Sequence, residues 1–261
     1  MTCREQLYHL LAEAAELEHN ILCSYLYAIY SLKQSESEDL RPQELAALMR
    51  WRGMLMGLCI EEMVHLEQVA NLLVATGARP HCDRPNLPVA PGYHPGGIVI
   101  KRAPLDLETL DHFIYLERPE EAAVSDSDAF APDDAAPPRP EVPPATLMPR
   151  APEYATIGAF YLRLRETLQQ LSDGPDGGRL FNGPAELQMR GDELQAPELV
   201  VVTDLASALA AIDFIVVQGE GAPGTARPRI TSASRPSAPS TSGCRRRGPV
   251  SCRTGRWRAT R

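Results

Sequence analysis

Apolar residues recur every three to four positions along several stretches of the chain, separated by polar or proline-rich breaks. In 3–33, Leu7, Leu11, Ala14, Leu22, Tyr25, Ile29 and Leu32 keep the spacing of one face of an α-helix. Glu18 takes a place in that stripe where the pattern wants an apolar residue. Residues 34–41 read as a polar turn, and Pro42 suits the first turn of a second helix, 43–76, which Gly77 closes. Two long helices joined by so short a loop predict an antiparallel pair within a bundle. Residues 78–104 hold Arg79-Pro80, Arg84-Pro85, Leu87-Pro88 and Pro91-Gly92, too much proline for helix, and predict an ordered arm. Asp106 caps a shorter helix, 106–117, with Leu107, Leu110, Phe113, Ile114 and Leu116 as its apolar residues. Helix returns from Tyr154 to Leu171, with Ile157, Phe160, Tyr161, Leu164 and Leu168 in the stripe. Residues 172–197 form a connection, and Val200 to Val202 read as a short extended piece. Thr203 or Asp204 caps a last helix through Leu205, Ala208, Leu209, Ile212, Ile215 and Val216. The predicted fold class is all-α.

Composition adds the breaks. Residues 118–152 are acidic, Ala-rich and Pro-rich, and 126–144 has so little to bury that a mobile loop is expected. Residues 225–261 lose all hydrophobic periodicity and predict a disordered Arg/Ser/Pro-rich tail, leaving 1–224 as the folded domain. The tail reads either as a basic segment that contacts anionic partners or as an out-of-frame translation of GC-rich DNA without a selected function. Residues 226–261 hold ten Arg and no acid, so removing them takes the net charge from −8 to −18. So acidic a body disfavours nucleic acid as its partner. No apolar run reaches the ~18 residues of a membrane span. The N-terminus enters an amphipathic pattern directly and does not resemble a signal peptide. The 6 cysteines include no CxxC pair, which suits reduced thiols and a cytoplasmic location.

The chemistry concentrates on the second helix. Glu62-x-x-His65 puts a carboxylate and an imidazole on one face, about 5–6 Å apart at Cβ. That face also carries Leu55, Leu58, Cys59, Leu66, Val69 and Leu73. Ionisable groups on an apolar stripe are costly unless paired or metal-bound. Glu18 supplies a partner on the preceding helix. Carboxylate oxygen with imidazole nitrogen suits iron or manganese and leaves positions open for dioxygen. The other reading is a buried Glu–His ion pair, or a Glu62 that reaches solvent at the edge of the stripe. His19, rotated about 100° from Glu18, is an outer partner of the carboxylate or an ordinary boundary residue. Tyr25, Tyr27, Tyr30 and Tyr161 read first as core fillers, and no phosphate loop, nucleophile elbow or zinc knuckle is present.

Several ordered motifs sharpen this. Leu17-Glu18-His19, Ser24-Tyr25-Leu26-Tyr27-Ala28, Glu61-Glu62-Met63-Val64-His65-Leu66, Asn71-Leu72-Leu73 and Gly77-Ala78-Arg79-Pro80 come first. Thr156-Ile157-Gly158, Phe160-Tyr161 and Gln218-Gly219-Glu220-Gly221-Ala222 follow. Together they resemble the ferritin-like domain of the iminophenyl-pyruvate dimer synthase type, known from bisindole pigment pathways such as that to violacein and from stand-alone proteins. The resemblance runs from about residue 5 to 224. It implies a ferritin-like four-helix bundle with long irregular insertions, and oxidative chemistry on a small amino-acid-derived substrate in secondary metabolism. The named member couples two imine units from tryptophan. Carried over residue by residue, it implies Glu18, Glu62 and His65 as metal ligands, with Glu220 as a fourth candidate and His19 or Tyr161 as outer partners. The chain departs from the family at Ala159 and Val217, where relatives often carry an acid, and at Pro223, which precludes a second Glu-x-x-His.

The expectation is therefore an iron-dependent oxidase or oxygenase, with a mononuclear, dinuclear or incomplete site and manganese as a second metal. A non-catalytic bundle acting as an interaction partner is the alternative. Iron storage ranks last, because the irregular insertions would obstruct a closed shell. The expected partner is a small-molecule substrate, without nucleic acid or membrane, and homo-oligomerisation stays open.

Overall fold

The computed structural model describes residues 3–84, 86–89, 93–94, 98–119, 123–130 and 154–219. Among these residues every regular element is helical. Helix α1 (Arg4–Ser31) and helix α2 (Pro42–Ala75) are joined through a 3-10 turn at Glu36–Glu38. Tyr8 Oη and Arg4 Nη1 donate to the Thr76 carbonyl at 2.7 and 3.3 Å, so the start of α1 lies beside the end of α2 and the pair is antiparallel. Helix α3 (Leu107–Leu116), α4 (Ile157–Ser172), the single turn α5 (Gly191–Leu194) and α6 (Leu205–Gly219) follow. Helix α1 packs on α2 and α4, and α6 packs on the same two, which closes a four-helix ring. Helix α3 stays outside the ring and docks on it through Phe113, whose ring meets Tyr25 edge-on at 4.5 Å.

Local chemistry fixes the element ends. Asp106 Oδ1 accepts from Thr109 N at 2.8 Å, Thr156 Oγ1 from Ala159 N at 3.1 Å and Asp204 Oδ1 from Ser207 N at 2.8 Å. Each satisfies an amide that the first helical turn leaves open, worth about 1 kcal/mol. Gly77 ends α2 in the left-handed region at φ 86, with Ala78 N donating back to Leu73 O at 2.9 Å. Gly183 presses on the same helix end. Its amide donates to Ala75 O at 3.0 Å, and a Cβ there would fall 1.6 Å from Val74 O. The interior between the ring helices is apolar, with Leu7, Leu11, Tyr25, Ile29, Leu72, Leu164 and Ile212 all buried.

The structure departs from the sequence expectations in two places. Val200 to Val202 have no strand partner among the described residues; side-chain amides take that place. Gln68 exchanges two hydrogen bonds with the Val200 backbone at 2.8 and 3.0 Å, and Gln188 does the same for Val202 at 2.6 and 2.7 Å. Asn71 pairs with both backbone groups of Met189 at 2.8 and 2.9 Å. The second difference lies at the start of the acidic loop. Phe130 is buried and stacks on His112 at 3.8 Å between ring centroids, while His112 Nδ1 meets Asp126 Oδ1 at 2.8 Å. One aromatic residue gives 123–130 the anchor that its average composition conceals. The remainder of the loop, Glu220 and the tail from 225 onward lie outside the described residues.

Candidate metal centre

Glu18, Glu62 and His65 come together inside the four-helix ring and are 3%, 4% and 2% exposed. Helix α1 turns Glu18 inward because its place in the stripe faces α2, and the three-residue spacing on α2 stacks Glu62 beside His65. His65 Nδ1 lies 3.5 Å from Glu18 Oε2 and 3.8 Å from Glu62 Oε2. One donor atom from each residue lies within 4.8 Å of the other two. Atoms about 2.1 Å from a shared ion stand from about 3.0 Å apart at cis angles to about 4.2 Å apart at trans angles, so both His65 distances suit a common cation. His65 Nε2 donates to Gln218 Oε1 at 3.2 Å. That bond fixes the ring and, once Nδ1 gives up its proton, aims the Nδ1 lone pair at the carboxylates, as metal-binding histidines require. Phe214 closes the other side of the imidazole at 5.9 Å, ring edge to face. The donor types, their convergence and the orienting bond all fit a metal ion such as iron or manganese.

The electrostatics divide the two carboxylates. Burial raises the pKa of Glu62, the Glu18 charge raises it further, and the result stands well above the ordinary carboxylate value despite His65. Burial also works against Glu18, but the hydrogen bond and charge of His65, with hydrogen bonds from Glu62 and Tyr161, outweigh it and hold that pKa low. Burial opposes the His65 imidazolium, yet the hydrogen bonds and charges of both carboxylates carry its pKa well above the ordinary value. Without metal these shifts favour the ionised form of Glu18 and the protonated forms of Glu62 and His65. Burial, then the Glu62 charge, pushes the Cys59 thiol up to about 12, so Cys59 remains a neutral neighbour.

Among the other residues singled out from the sequence, Tyr161 is fully buried and its hydroxyl donates to Glu18 Oε1. It is both a core residue and a partner of the carboxylate. His19 sits against the proline-rich arm, bonded to the Cys82 backbone and facing Arg84, and is not part of the group of three. Glu220 is outside the described residues. Ala159 is half-buried and Val217 is 40% exposed, so neither ring helix brings a carboxylate from those positions. Two residues were given no role at the site from the sequence. Gln218 follows Ala211 and Ile215 at helical spacing, so its place facing the core was readable. Glu117 follows Leu107, Leu110 and Ile114, a face that begins on an exposed leucine, and only the hydrogen bond it receives from the buried Tyr25 hydroxyl singles it out.

A family model described as ferritin-like matches residues 11–234. The chain belongs to the ferritin-like family. Dichlorochromopyrrolate synthase of Lentzea aerocolonigenes is 26% identical over 247 aligned residues, covering 85% of this chain and 23% of that protein. The chain thus spans about a quarter of that relative's length. A ferritin-like protein from Caulobacter vibrioides has a similar structure, with a TM-score of 0.54, 22% identity, and coverage of 84% of this chain and 68% of the other. That likeness shows the same fold. No helix among the described residues is long and apolar enough to cross a membrane.

Proposed function

We propose that this chain is a non-haem iron oxidoreductase acting on a small amino-acid-derived molecule, by oxidative coupling of the kind used in secondary metabolism. The observation that carries the reading is the buried, converged Glu18–Glu62–His65 group inside a ferritin-like bundle. The similarity to a protein named dichlorochromopyrrolate synthase supports the substrate class. A redox-active ion held by this group supplies dioxygen binding and electron transfer. The residues do the rest. Glu18 and Glu62 offer oxygen, His65 offers Nδ1, Gln218 orients the imidazole, and Tyr161 orients Glu18. Phe214 and Cys59 keep the surroundings apolar. Glu220, next in sequence after Gly219, is proposed as a further ligand, and 1–224 as the functional unit. Manganese is the alternative metal.

The lack of a carboxylate at Ala159 and Val217 favours a second reading, a bundle that has lost its metal and acts as an interaction partner. Iron analysis of anaerobically purified protein separates the two. The first reading expects bound iron in the wild type, its loss in Glu62→Ala, and dioxygen uptake when the iron-loaded protein meets an aromatic amino-acid imine generated in situ. No iron in the wild type, or equal iron in Glu62→Ala, refutes it.

A further inference from the structure

The four-helix ring supplies its carboxylates unevenly. Helices α1 and α2 provide Glu18 and Glu62, whereas the nearest polar side chains from α4 and α6 are the neutral Tyr161 and Gln218. A centre built by the ring alone is short of anionic donors on one side. A carboxylate from outside the ring lies close to its α6 end. Glu117 directly follows the last residue of α3. Its Oε1 accepts from Tyr25, which is fully buried on α1, two turns beyond Glu18 on the same face. Its Oε2 lies 4.0 Å from where a Cβ on Gly219 would stand. Glu117 therefore sits at the meeting point of α1, α3 and the end of α6.

Glu117 is not one of the three residues whose donor atoms converge within 4.8 Å; its bond from Tyr25 and its place beside Gly219, next to the Gln218 that holds His65, bring it to the edge of that group. Burial, then the charges of Glu117 and Glu62, raise the Tyr25 pKa well above its ordinary value, and the Glu117 charge is among the causes that raise Glu62. Tyr25 thus bridges the environments of both carboxylates, and it spends its only O–H on holding Glu117. The short helix itself is firmly seated: Phe113 and Leu116 are each 1% exposed, and Phe113 packs on the ring of Tyr25.

We propose that Glu117 is a ligand carboxylate of the metal centre, delivered by α3 from outside the four-helix ring and aimed by Tyr25. It stands in for the acids absent at Ala159 and Val217. The proposal rests on the metal reading above and extends it to a residue and a helix that the bundle pattern does not predict.

Co(II) is a suitable probe, because its visible absorption reports the ligand set and its affinity is measured by titration without any turnover. The wild type, Glu62→Gln, Glu117→Gln, Glu117→Asp, Tyr25→Phe and the exposed-site control Glu186→Gln are compared anaerobically. Glu117→Gln preserves an acceptor for Tyr25 and removes the anionic donor. The expected result is a loss of affinity of at least about tenfold with a changed Co(II) spectrum. Tyr25→Phe is expected to weaken binding less, and Glu186→Gln not at all. Should Glu117→Gln fail to fold, Glu117→Asp decides: the shortened carboxylate is expected to alter the spectrum. Wild-type affinity and spectrum in whichever Glu117 variant is folded overturn the proposal. If Glu62→Gln loses Co(II) while Glu117→Gln does not, the metal reading stands and this inference fails alone. If the wild type takes up no Co(II), the metal reading fails and this inference falls with it.

Discussion

Replacing Glu62 by Gln should make the metal-free protein more stable and the metal-loaded protein less so. The amide is nearly isosteric and retains partners for Glu18 and His65, but has no charge to bury. In the wild type, burial and the Glu18 charge raise the folded-state pKa of Glu62. The contribution of such a group to stability is complete below its unfolded pKa, about 4.3, and is lost as pH rises through the raised folded value. Each unit of elevation costs about 1.4 kcal/mol once the pH exceeds both values. The neutral amide does not carry that cost. For a domain of this size each kcal/mol moves Tm by about 2–4 °C, so Glu62→Gln in chelator should melt above the wild type near neutral pH, by about 3–6 °C for each unit of elevation. The gap should widen as pH rises above about 4.3, where the unfolded chain ionises Glu62 and the folded site resists it. His65→Leu should do the opposite. It strips the ionised Glu18 of its charged partner and should cost about 3–5 kcal/mol. Saturating Co(II) should reverse the first ranking: at 100 times Kd it stabilises the wild type by about 2.7 kcal/mol and leaves Glu62→Gln unmoved. Thermal melts at three pH values, with chelator and with Co(II), measure all of this. A Glu62→Gln variant that melts below the wild type in chelator, or a gap that narrows with pH, would show that Glu62 is ionised in the metal-free fold and refute the charge assignment.

Metal binding should release the protons that the raised pKa values of Glu62 and His65 favour, so titration heats should scale with buffer ionisation enthalpy and affinity should rise with pH. A buffer-independent heat would contradict the protonated state of the empty group. Tyr161→Phe removes the O–H that holds Glu18, and should weaken Co(II) binding by about 10-fold while lowering stability by about 1–2 kcal/mol in chemical denaturation. Unchanged affinity would reduce Tyr161 to a core residue. Asn71→Leu deprives both backbone groups of Met189 of their partner and takes one of two donors, the other being Gln68, from the Val200 carbonyl, and should cost about 2–4 kcal/mol together with faster proteolytic cleavage in 188–202. Protection equal to the wild type would mean that apolar packing alone seats that segment.

The bundle was legible because its helices are long and amphipathic, and their ends carry ordinary signals. Pro42, Asp106, Asp204 and Gly77 each mark a boundary that the structure keeps within a few residues. Glu18, Glu62 and His65 were legible for a related reason: an ionisable residue on an apolar stripe conflicts with its surroundings, and helical spacing says which way it faces. What escaped was everything set by contacts between elements distant in sequence. Nothing local shows that Gln68, Asn71 and Gln188 would replace the partners of a strand, because an amide in a helical stripe resembles any solvated polar residue until the segment across from it is known. Phe130 was diluted by its acidic neighbours, though a single aromatic side chain is enough to anchor a loop.

Glu117 shows where that reasoning stops. It continues the spacing of Leu107, Leu110 and Ile114, a face that begins on an exposed leucine, whereas Glu18 continues that of the buried Leu11 and Ala14, and it falls at the end of a helix, where a charged residue raises no conflict. Only the Tyr25 hydroxyl, reaching it from a helix some ninety positions earlier, shows that it points inward. The four-helix pattern assigns ligands to the long helices alone and so passes over α3. Among the described residues Glu18, Glu62 and His65 converge within 4.8 Å, and the Glu117 charge is felt at Glu62 from outside that group. The ion-binding capacity of this chain therefore turns on whether a short docked helix can replace donors that two long helices no longer supply, a question that the charge and reach of one side chain decide.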